Sequence, residues 1–336
     1  MTPLKTAIIG CGGIAQVHGE VLHQLETADV AAYADIRLER AQAMAEKYGG
    51  RAYDSMDSLL AREDVQVVHL CTPHVFHTPM AAQAAERGIH VFTEKPPVIN
   101  EAQWEQFRAL GEKVRVGVCF QNRWNPGTRL LQELLEDPGL GAVLGGRAFV
   151  TWRREAPYYT ESGWRGALAA EGGGVLINQS IHTLDLLGQF LGRATAVDAT
   201  LTNHHLQGVI EVEDTFEARI AFGDKPALFF ASTGHVTDSP VLLEIVCEHA
   251  TLRLEDREIT IFRPGADPER IALPPQVSPA TGKAYWGASH GLAIQDFYQA
   301  ILEDAPFPCD IPGVTDTVEL MLAGYRSARE GHPVTL

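Results

Sequence analysis

Residues 5–20 read KTAIIGCGGIAQVHGE, and this stretch decides the fold of the first part of the chain. The apolar run Lys5–Ile9 is typical of a buried parallel strand, and the region near Ile14–Leu25 has helical spacing. Between them, Gly10, Gly12 and Ala15 form a GxGxxA pattern. The first glycine permits a tight turn, the second lets backbone approach a pyrophosphate, and the small third residue lets the helix pack on the strand. The N–H groups at the start of the helix then point at phosphate, so the pattern indicates a dinucleotide site.

The first 120 residues repeat this alternation of short apolar runs with longer amphipathic ones, which is the βαβ signature. We predict five strands here: Lys5–Ile9, Val30–Ala34, Val65–Cys71, His90–Thr93 and Arg115–Val118. Their nearly continuous apolar character favours strands covered on both faces. Residues 1–120 are therefore expected to form an α/β Rossmann domain with a parallel, doubly wound sheet.

Asp35, at the end of the second strand, gives the glycine pattern its context. A carboxylate there accepts hydrogen bonds from the adenosine ribose hydroxyls and repels a 2′-phosphate, which favours NAD. Arg37 keeps NADP open, because an arginine there could grip a 2′-phosphate or stack on adenine. Gly13 and Ile14, at the start of the helix, complete the expected phosphate cradle.

The sequence pattern changes after Phe120, where several segments with alternating apolar and polar residues predict strands with few helices between them. Residues 121–336 are therefore expected to form an α+β domain with a mostly antiparallel sheet. One exception to the strand pattern is the apolar helix Leu176–Leu191.

Composition excludes several classes of protein. The chain has 336 residues, and 27 Lys and Arg against 43 Asp and Glu give a formal charge of −16, which repels nucleic acid and anionic membranes. No run approaches the roughly 18 apolar residues that cross a bilayer, and the N-terminus lacks the pattern of a signal peptide. Five cysteines without CxxC spacing fit reduced thiols in a cytoplasm and indicate no metal site. Cys11 is interpreted as a small filler of the turn.

Two polar clusters follow strands, at the sheet edge where ligands bind in open α/β folds. The first consists of Thr72, Pro73, His74 and His77. The second is Glu94 and Lys95 followed by two prolines. Lys95 alone could be surface charge, but its place at a strand end between fixed backbone positions favours a functional role.

These residues resemble a known family. GCGGIA (10–15), CTPHVFH (71–77), EKP (94–96), RWNP (123–126), GWRG (163–166), GGGVLINQSIHTLD (172–185) and GYRSAREG (324–331) are similar to motifs of the glucose-fructose oxidoreductase, inositol dehydrogenase and MocA (Gfo/Idh/MocA) family over essentially the whole chain. The resemblance implies an NAD(P)-dependent oxidoreductase that acts on a sugar, sugar derivative or cyclitol. It also implies that residues 121–336 contain a large open sheet, bind the substrate and build a homodimer or homotetramer.

The resemblance also implies site residues. Lys95 of EKP and His182 of the GGG block would act together on the substrate hydroxyl. Residues that would line the dinucleotide are Thr72, Pro73, His77, Glu94, Trp164 and Arg165.

Asn178 departs from the family pattern, because many members carry Asp four residues before the histidine. On a helix, positions 178 and 182 share one face, so both side chains are expected at one site. An amide can orient a hydroxyl but cannot take a proton at neutral pH. Inositol is therefore no longer the default substrate, although the polyol class stands.

His182 is the preferred general base or acid, because its ordinary pKa of about 6.5 suits neutral pH. Lys95 would stabilise the developing alkoxide, although the two roles could be exchanged. Asp185 could fix the tautomer of His182 or simply be a helix residue. Candidates for sugar contacts are Arg123, Trp124, Asn125, Tyr158, Tyr285 and His290.

Two alternative functions would also require the dinucleotide site. One is glycoside cleavage or elimination through a transient keto-sugar, in which NAD is regenerated. The other is a non-catalytic regulator that binds dinucleotide, which the presence of both Lys95 and His182 disfavours.

Overall fold

The structure is a computed structural model that describes residues 2–255, 257–274 and 289–336. The described residues form two compact units. The first contains residues 2–121 and 289–314, and the second contains residues 122–274 and 315–336.

The first unit is built on a six-stranded parallel sheet. Its strands are β1 (Leu4–Ile9), β2 (Ala28–Ala34), β3 (Arg51–Tyr53), β4 (Val67–Leu70), β5 (His90–Thr93) and β6 (Val116–Val118). The order β3-β2-β1-β4-β5-β6 is that of a doubly wound fold, which confirms the expected Rossmann domain. The order reverses between β1 and β4, so their carboxyl ends form the crevice where ligands bind in such sheets.

Helices connect these strands. They are α1 (Gly13–Gln24), α2 (Leu38–Tyr48), α3 (Met56–Leu60), α4 (His77–Ala85) and α5 (Glu101–Arg108). The short β3 was not predicted, because it is half exposed and only three residues long. Helix α5 was also not predicted, although Asn100 is a standard N-cap and accepts a hydrogen bond from the backbone N–H of Gln103 at 2.9 Å.

The second unit is built on a nine-stranded sheet. Its strands are β7 (Val143–Thr151), β8 (Ala196–Thr202), β9 (Thr215–Phe222), β10 (Lys225–Ser232), β11 (Leu242–Cys247), β12 (Thr251–Glu255), β13 (Glu258–Phe262), β14 (Glu269–Ala272) and β15 (Val334–Thr335). Among these described strands, only β7 and β10 pair in parallel, so the expected mostly antiparallel sheet is confirmed.

The helices after residue 121 are α6 (Pro126–Leu135), α7 (Ala156–Thr160), α8 (Leu168–Glu171), α9 (Ile181–Leu191), α10 (His290–Leu302) and α11 (Ile311–Glu330). Helix α9 packs on β7 and β11. Ala148 and Val150 alternate along β7 as fully buried side chains, as expected for a sheet with one covered face.

A single boundary after residue 120 does not separate the two units, because helix α10 belongs to the first unit. The Phe297 ring lies 5.1 Å from that of Phe92 on β5, and the Tyr298 hydroxyl lies 2.7 Å from Thr6 Oγ1 on β1. Both aromatic side chains are fully buried. The chain therefore returns to the first unit after β14, because the core of the Rossmann sheet is completed by these rings.

Candidate functional site

The glycine turn after β1 requires glycine for steric reasons. Gly10 has φ +86°, and a Cβ there would lie 2.8 Å from the carbonyl carbon and oxygen of Cys71. Gly12 is the N-cap of α1, and a Cβ there would meet no atom within 4 Å. The N-terminus of α1 therefore faces open space, as a phosphate cradle must.

Asp35 joins this turn to the end of β2. One carboxylate oxygen accepts from the backbone N–H of Cys11 at 2.7 Å, and the other accepts from that of Arg37 at 2.8 Å. Each oxygen retains a second lone pair, so the carboxylate can still accept from ribose hydroxyls. Arg37 itself is exposed. The open cradle and this carboxylate fit a dinucleotide.

Cys11 lies inside the turn but does not have the properties of a reactive thiol. It is buried, and burial together with the Asp35 carboxylate raises its pKa to about 12. A thiol needs a lowered pKa to react as thiolate near neutral pH. The interpretation of Cys11 as a filler of the turn therefore agrees with its environment.

The loop after β4 is held by His77. Its Nδ1 lies 2.7 Å from the carbonyl oxygen of Pro96, and its Nε2 lies 2.8 Å from that of Thr72. The ring is buried, and burial lowers its pKa despite both carbonyls. His77 thus fixes the loops after β4 and β5 to each other, and both of its ring nitrogens are used in these bonds rather than offered to a dinucleotide. His74 is also buried, whereas Thr72 and Pro73 are half-buried.

Glu94 points into the interior of the first unit. Its carboxylate lies 2.9 Å from His18 Nε2, His18 Nδ1 lies 2.8 Å from His69 Nδ1, and His69 Nε2 lies 3.1 Å from the Tyr298 hydroxyl. Burial would raise the pKa of Glu94, but the hydrogen bond and charge of His18 hold it well below its usual range. Glu94 therefore anchors the EKP loop (Glu94–Pro96) to the interior of the first unit. The expected contact of Glu94 with the dinucleotide does not fit this orientation.

Lys95 is the one residue between Val91 and Val98 that is not buried. It follows β5 directly, and the peptide bond between Lys95 and Pro96 is cis. The EKP loop is thus buried on both sides of a single accessible lysine, at the carboxyl edge of the parallel sheet.

The glycine block of the second unit, Gly172–Gly174, contains two positions where a larger residue would not fit. A Cβ at Gly173 would lie 2.0 Å from the Tyr325 hydroxyl, and a Cβ at Gly174 would lie 1.9 Å from the carbonyl oxygen of Glu213. Glu213 in turn accepts from the Tyr325 hydroxyl and from the backbone N–H of Gly174, each at 2.8 Å. The backbone of this block is thus packed against a buried carboxylate.

The segment after the glycines exposes two side chains. Residues 173–187 are all buried except Asn178 and His182, which are half-buried. The expected helix Leu176–Leu191 is confirmed, but its first part, Leu176–Ser180, is a π-helical turn before α9. Single π turns occur frequently at functional sites. Asn178 and His182 nevertheless both reach the accessible side.

Glu171 is a buried acid beside Asn178 that the sequence motifs did not indicate. It is fully buried, and it accepts from the backbone N–H of Gly166 at 2.5 Å and from the side-chain amide of Asn178. Burial raises its pKa to about 7, and the neighbouring Glu213 acts in the same direction. An acid beside three glycines usually indicates a surface turn, so the local sequence gave no signal of this burial.

Arg123 and Asp185 form a buried ion pair that bears on two expectations. Arg123 Nε lies 2.8 Å from one oxygen of Asp185, and the Thr317 hydroxyl donates to the other at 2.6 Å. The Asp185 carboxylate therefore holds Arg123, and of the two alternatives for Asp185 this pairing does not favour the one in which it fixes the His182 tautomer. The Arg123 side chain is 8% exposed and its guanidinium pairs with Asp185, which does not favour the expected contact with a sugar hydroxyl.

The remaining candidates for sugar contacts are distributed differently. Trp124 is buried, and Asn125 is the half-buried N-cap of α6. His290 is buried in the first unit, with its ring 6.2 Å from that of His18. Tyr285 lies outside the described residues.

Tyr158, Trp164 and Arg165 lie together near the π-helical turn. The Arg165 guanidinium is 4.5 Å from the ring centre of Tyr158 and 5.1 Å from that of Trp164. The Tyr158 hydroxyl accepts from Gln179 Nε2 at 3.3 Å, next to Asn178. The second unit thus gathers two aromatic rings, a cation and an amide around one short segment.

Comparison with known proteins gives matches along nearly the whole chain. The model described as an oxidoreductase family with an NAD-binding Rossmann fold (GFO_IDH_MocA) matches residues 4–121, and that of its C-terminal α/β domain matches residues 132–336.

Two curated relatives and one solved structure illustrate the range. D-glucoside 3-dehydrogenase of Escherichia coli is 34% identical over 57% of this chain and 55% of that protein. D-apiose dehydrogenase of Paraburkholderia graminis is 25% identical over 99% of this chain and 89% of that protein. The WlbA dehydrogenase of Chromobacterium violaceum, solved with NADH and UDP-GlcNAcA, is 26% identical over 100% of this chain and 96% of that chain, with a TM-score of 0.88. The chain spans about half the length of the first curated relatives it matches.

In the part of the chain that the structure describes, no helix has both the length and the hydropathy needed to cross a membrane.

Proposed function

Because the chain belongs to the Gfo/Idh/MocA oxidoreductase family, we propose that it is an NAD-dependent dehydrogenase of a sugar, a sugar derivative or a cyclitol. The observation that carries the proposal is the selective exposure of Lys95, Asn178 and His182. Each of them is accessible within a segment that is otherwise buried. Polar groups exposed in this way on rigid elements are typical of a reaction site.

The dinucleotide would be held by the first unit. Backbone N–H groups of Gly12, Gly13 and Ile14 would bind its pyrophosphate at the start of α1. Asp35 would bind the ribose hydroxyls, and the exposed Arg37 would lie beside the adenine. The half-buried Thr72, Pro73, Trp164 and Arg165 complete the proposed cofactor contacts.

NAD, when bound, supplies the acceptor for the hydride that leaves the alcohol carbon. His182 would take the hydroxyl proton, and in the reverse direction it would return the proton to the new hydroxyl. The Lys95 ammonium would donate a hydrogen bond to the same oxygen and stabilise its negative charge, an effect of about 3 kcal/mol for comparable donors. If the two roles were exchanged, Lys95 would be the base and its pKa would be depressed. The pH profile of Lys95→Arg would reveal this exchange.

A substrate screen tests the proposed reaction. Inositols, aldoses, sugar acids, glycosides and nucleotide sugars would each be incubated with NAD, with nicotinamide absorbance as the readout. Steady formation of NADH with one of these classes is expected. Cleavage of a glycoside without net NADH would instead support the transient keto-sugar reaction, and binding of NAD without any turnover would support a regulator.

Asp35 predicts the cofactor preference. NADH is expected to bind at least about tenfold more tightly than NADPH, because the buried carboxylate repels a 2′-phosphate. Fluorescence titration of both cofactors measures this ratio. Asp35→Asn is expected to reduce the ratio, whereas Glu46→Gln, an exposed acid on α2, is expected to leave it unchanged. A wild-type preference for NADPH would overturn the assignment of Asp35.

We also propose a cytoplasmic homodimer or homotetramer. The outer face of the nine-stranded sheet carries Leu228, which is 52% exposed, and the partly exposed Phe149 and Phe230, whose ring centres lie 6.3 Å apart. Apolar side chains grouped in this way favour association. All five cysteines lie among the described residues, are buried and form no disulfide, which suits a reducing compartment.

A further inference from the structure

Glu171 and Asn178 form a buried pair whose chemistry goes beyond the family pattern. Glu171 is completely buried, and its two carboxylate oxygens accept hydrogen bonds from two different donors. One accepts from the fixed backbone N–H of Gly166, and the other accepts from Asn178 Nδ2. Since an ionised carboxylate only accepts hydrogen bonds, it fixes the orientation of the amide.

This orientation decides what Asn178 offers to a ligand. With Nδ2 directed at Glu171, the carbonyl oxygen Oδ1 points away from Glu171. Asn178 is one of only two residues between 173 and 187 that are not buried, and the inference takes its amide to be the part that a ligand contacts. An oxygen there accepts a hydrogen bond from a hydroxyl, whereas an amino group would donate one.

We propose that Glu171 is a specificity-determining positioning residue that makes Asn178 select a substrate hydroxyl acting as a hydrogen-bond donor. When Glu171 carries a proton, its O–H donates to Asn178 Oδ1, the amide turns over, and Nδ2 is presented instead. The inference rests on the proposed dehydrogenase function, because it takes Asn178 to contact the substrate.

The surroundings of Glu171 permit both protonation states. The charged and titratable groups that interact electrostatically with Glu171 include Arg165, Glu213, Tyr159 and Tyr325. Arg165 favours the carboxylate, whereas burial and Glu213 favour the acid. The balance brings the pKa to about 7, so the carboxylate form increases as the pH rises through neutrality.

Glu171→Gln imitates the protonated state without changing the size of the side chain. The Gly166 N–H still needs an acceptor, so the amide oxygen of the new glutamine takes that position. Its NH2 group then faces Asn178, and two NH2 groups cannot bond, so Asn178 must turn over. The double variant Glu171→Gln with Asn178→Asp restores an acceptor toward the substrate, because an aspartate accepts on both sides.

The test compares the best substrate with its monodeoxyfluoro derivatives, in which fluorine replaces one hydroxyl and cannot donate. The ratio of kcat/KM values at one pH cancels every effect of pH that the two substrates share. For one derivative the wild-type ratio is expected to be about tenfold above pH 8 and to fall as the pH drops through about 7. Glu171→Gln is expected to hold the ratio near one at every pH, and the double variant is expected to restore it. Glu161→Gln, a nearby exposed acid, serves as the control.

A second readout does not depend on turnover. The side-chain NH2 signals of Asn178, identified by their loss in Asn178→Asp, are expected to shift with a midpoint near pH 7 in the wild type and not in Glu171→Gln. A wild-type selectivity ratio in Glu171→Gln, or Asn178 signals that do not titrate, would overturn the inference. Failure of all substrates in the screen would count against the proposed function, and the Asn178 signals would then decide on Glu171.

Discussion

Replacement of Lys95 or His182 by alanine is expected to lower turnover by about 10²-fold or more. Removal of His182 takes away the group that accepts the hydroxyl proton, and proton transfer by a positioned side chain contributes about 10²- to 10⁴-fold. Removal of Lys95 takes away the donor to the developing alkoxide, an effect of similar size. Both losses are expected in kcat, because the interactions form fully only in the transition state.

The affinity for NADH provides the necessary contrast. It is expected to change by less than about threefold in both variants, since neither side chain holds the pyrophosphate or the ribose of the proposed cofactor site. Lys113→Ala and His249→Ala remove exposed side chains of the same types and are expected to keep wild-type turnover. Wild-type turnover in Lys95→Ala or His182→Ala would remove that residue from the mechanism.

Gly174→Ala is expected to destabilise the protein by about 4 kcal/mol, the largest stability effect that we predict. The new Cβ would lie 1.9 Å from the carbonyl oxygen of Glu213. A backbone carbonyl cannot rotate away as a side chain can, so the segment that precedes β9 or the glycine block must move. The buried bonds of Glu213 to Tyr325 and to the backbone of Gly174 would be disturbed with it.

Thermal melting measures this effect. A midpoint roughly 10 °C below that of the wild type is expected for Gly174→Ala. Gly188→Ala is the matched control, because Gly188 lies in α9 and a Cβ there meets no atom within 4 Å. An alanine at that helical position is expected to leave the midpoint unchanged or to raise it. Equal melting of Gly174→Ala and wild type would show that the glycine block is not sterically fixed.

The fold could be predicted largely from local patterns. The GxGxxA turn, the apolar strands and Asp35 were sufficient for a doubly wound domain, because strand alternation and turn sterics are local properties. Helix α10 could not be assigned to the first unit in this way. Its membership depends on the packing of Phe297 and Tyr298 against strands about 200 to 290 residues earlier in the chain.

The candidate site could be predicted only in part. Lys95, Asn178 and His182 were selected from motifs, and the structure shows them as accessible residues in buried segments. Glu94, His77 and Arg123 were selected by the same motifs, but their polar groups bond to the protein interior. A motif marks residues that are needed at one place, and it does not separate those that face a ligand from those that support the backbone.

The sequence by itself determined the class of fold, the position of the glycine turn and the residue types available for catalysis, since these follow from spacing and side-chain chemistry. The tertiary structure decided the partners of those residues. Glu171 became a titratable neighbour of Asn178, and Asp185 became the partner of Arg123, because burial and long-range contacts bring together groups whose interaction no local pattern records.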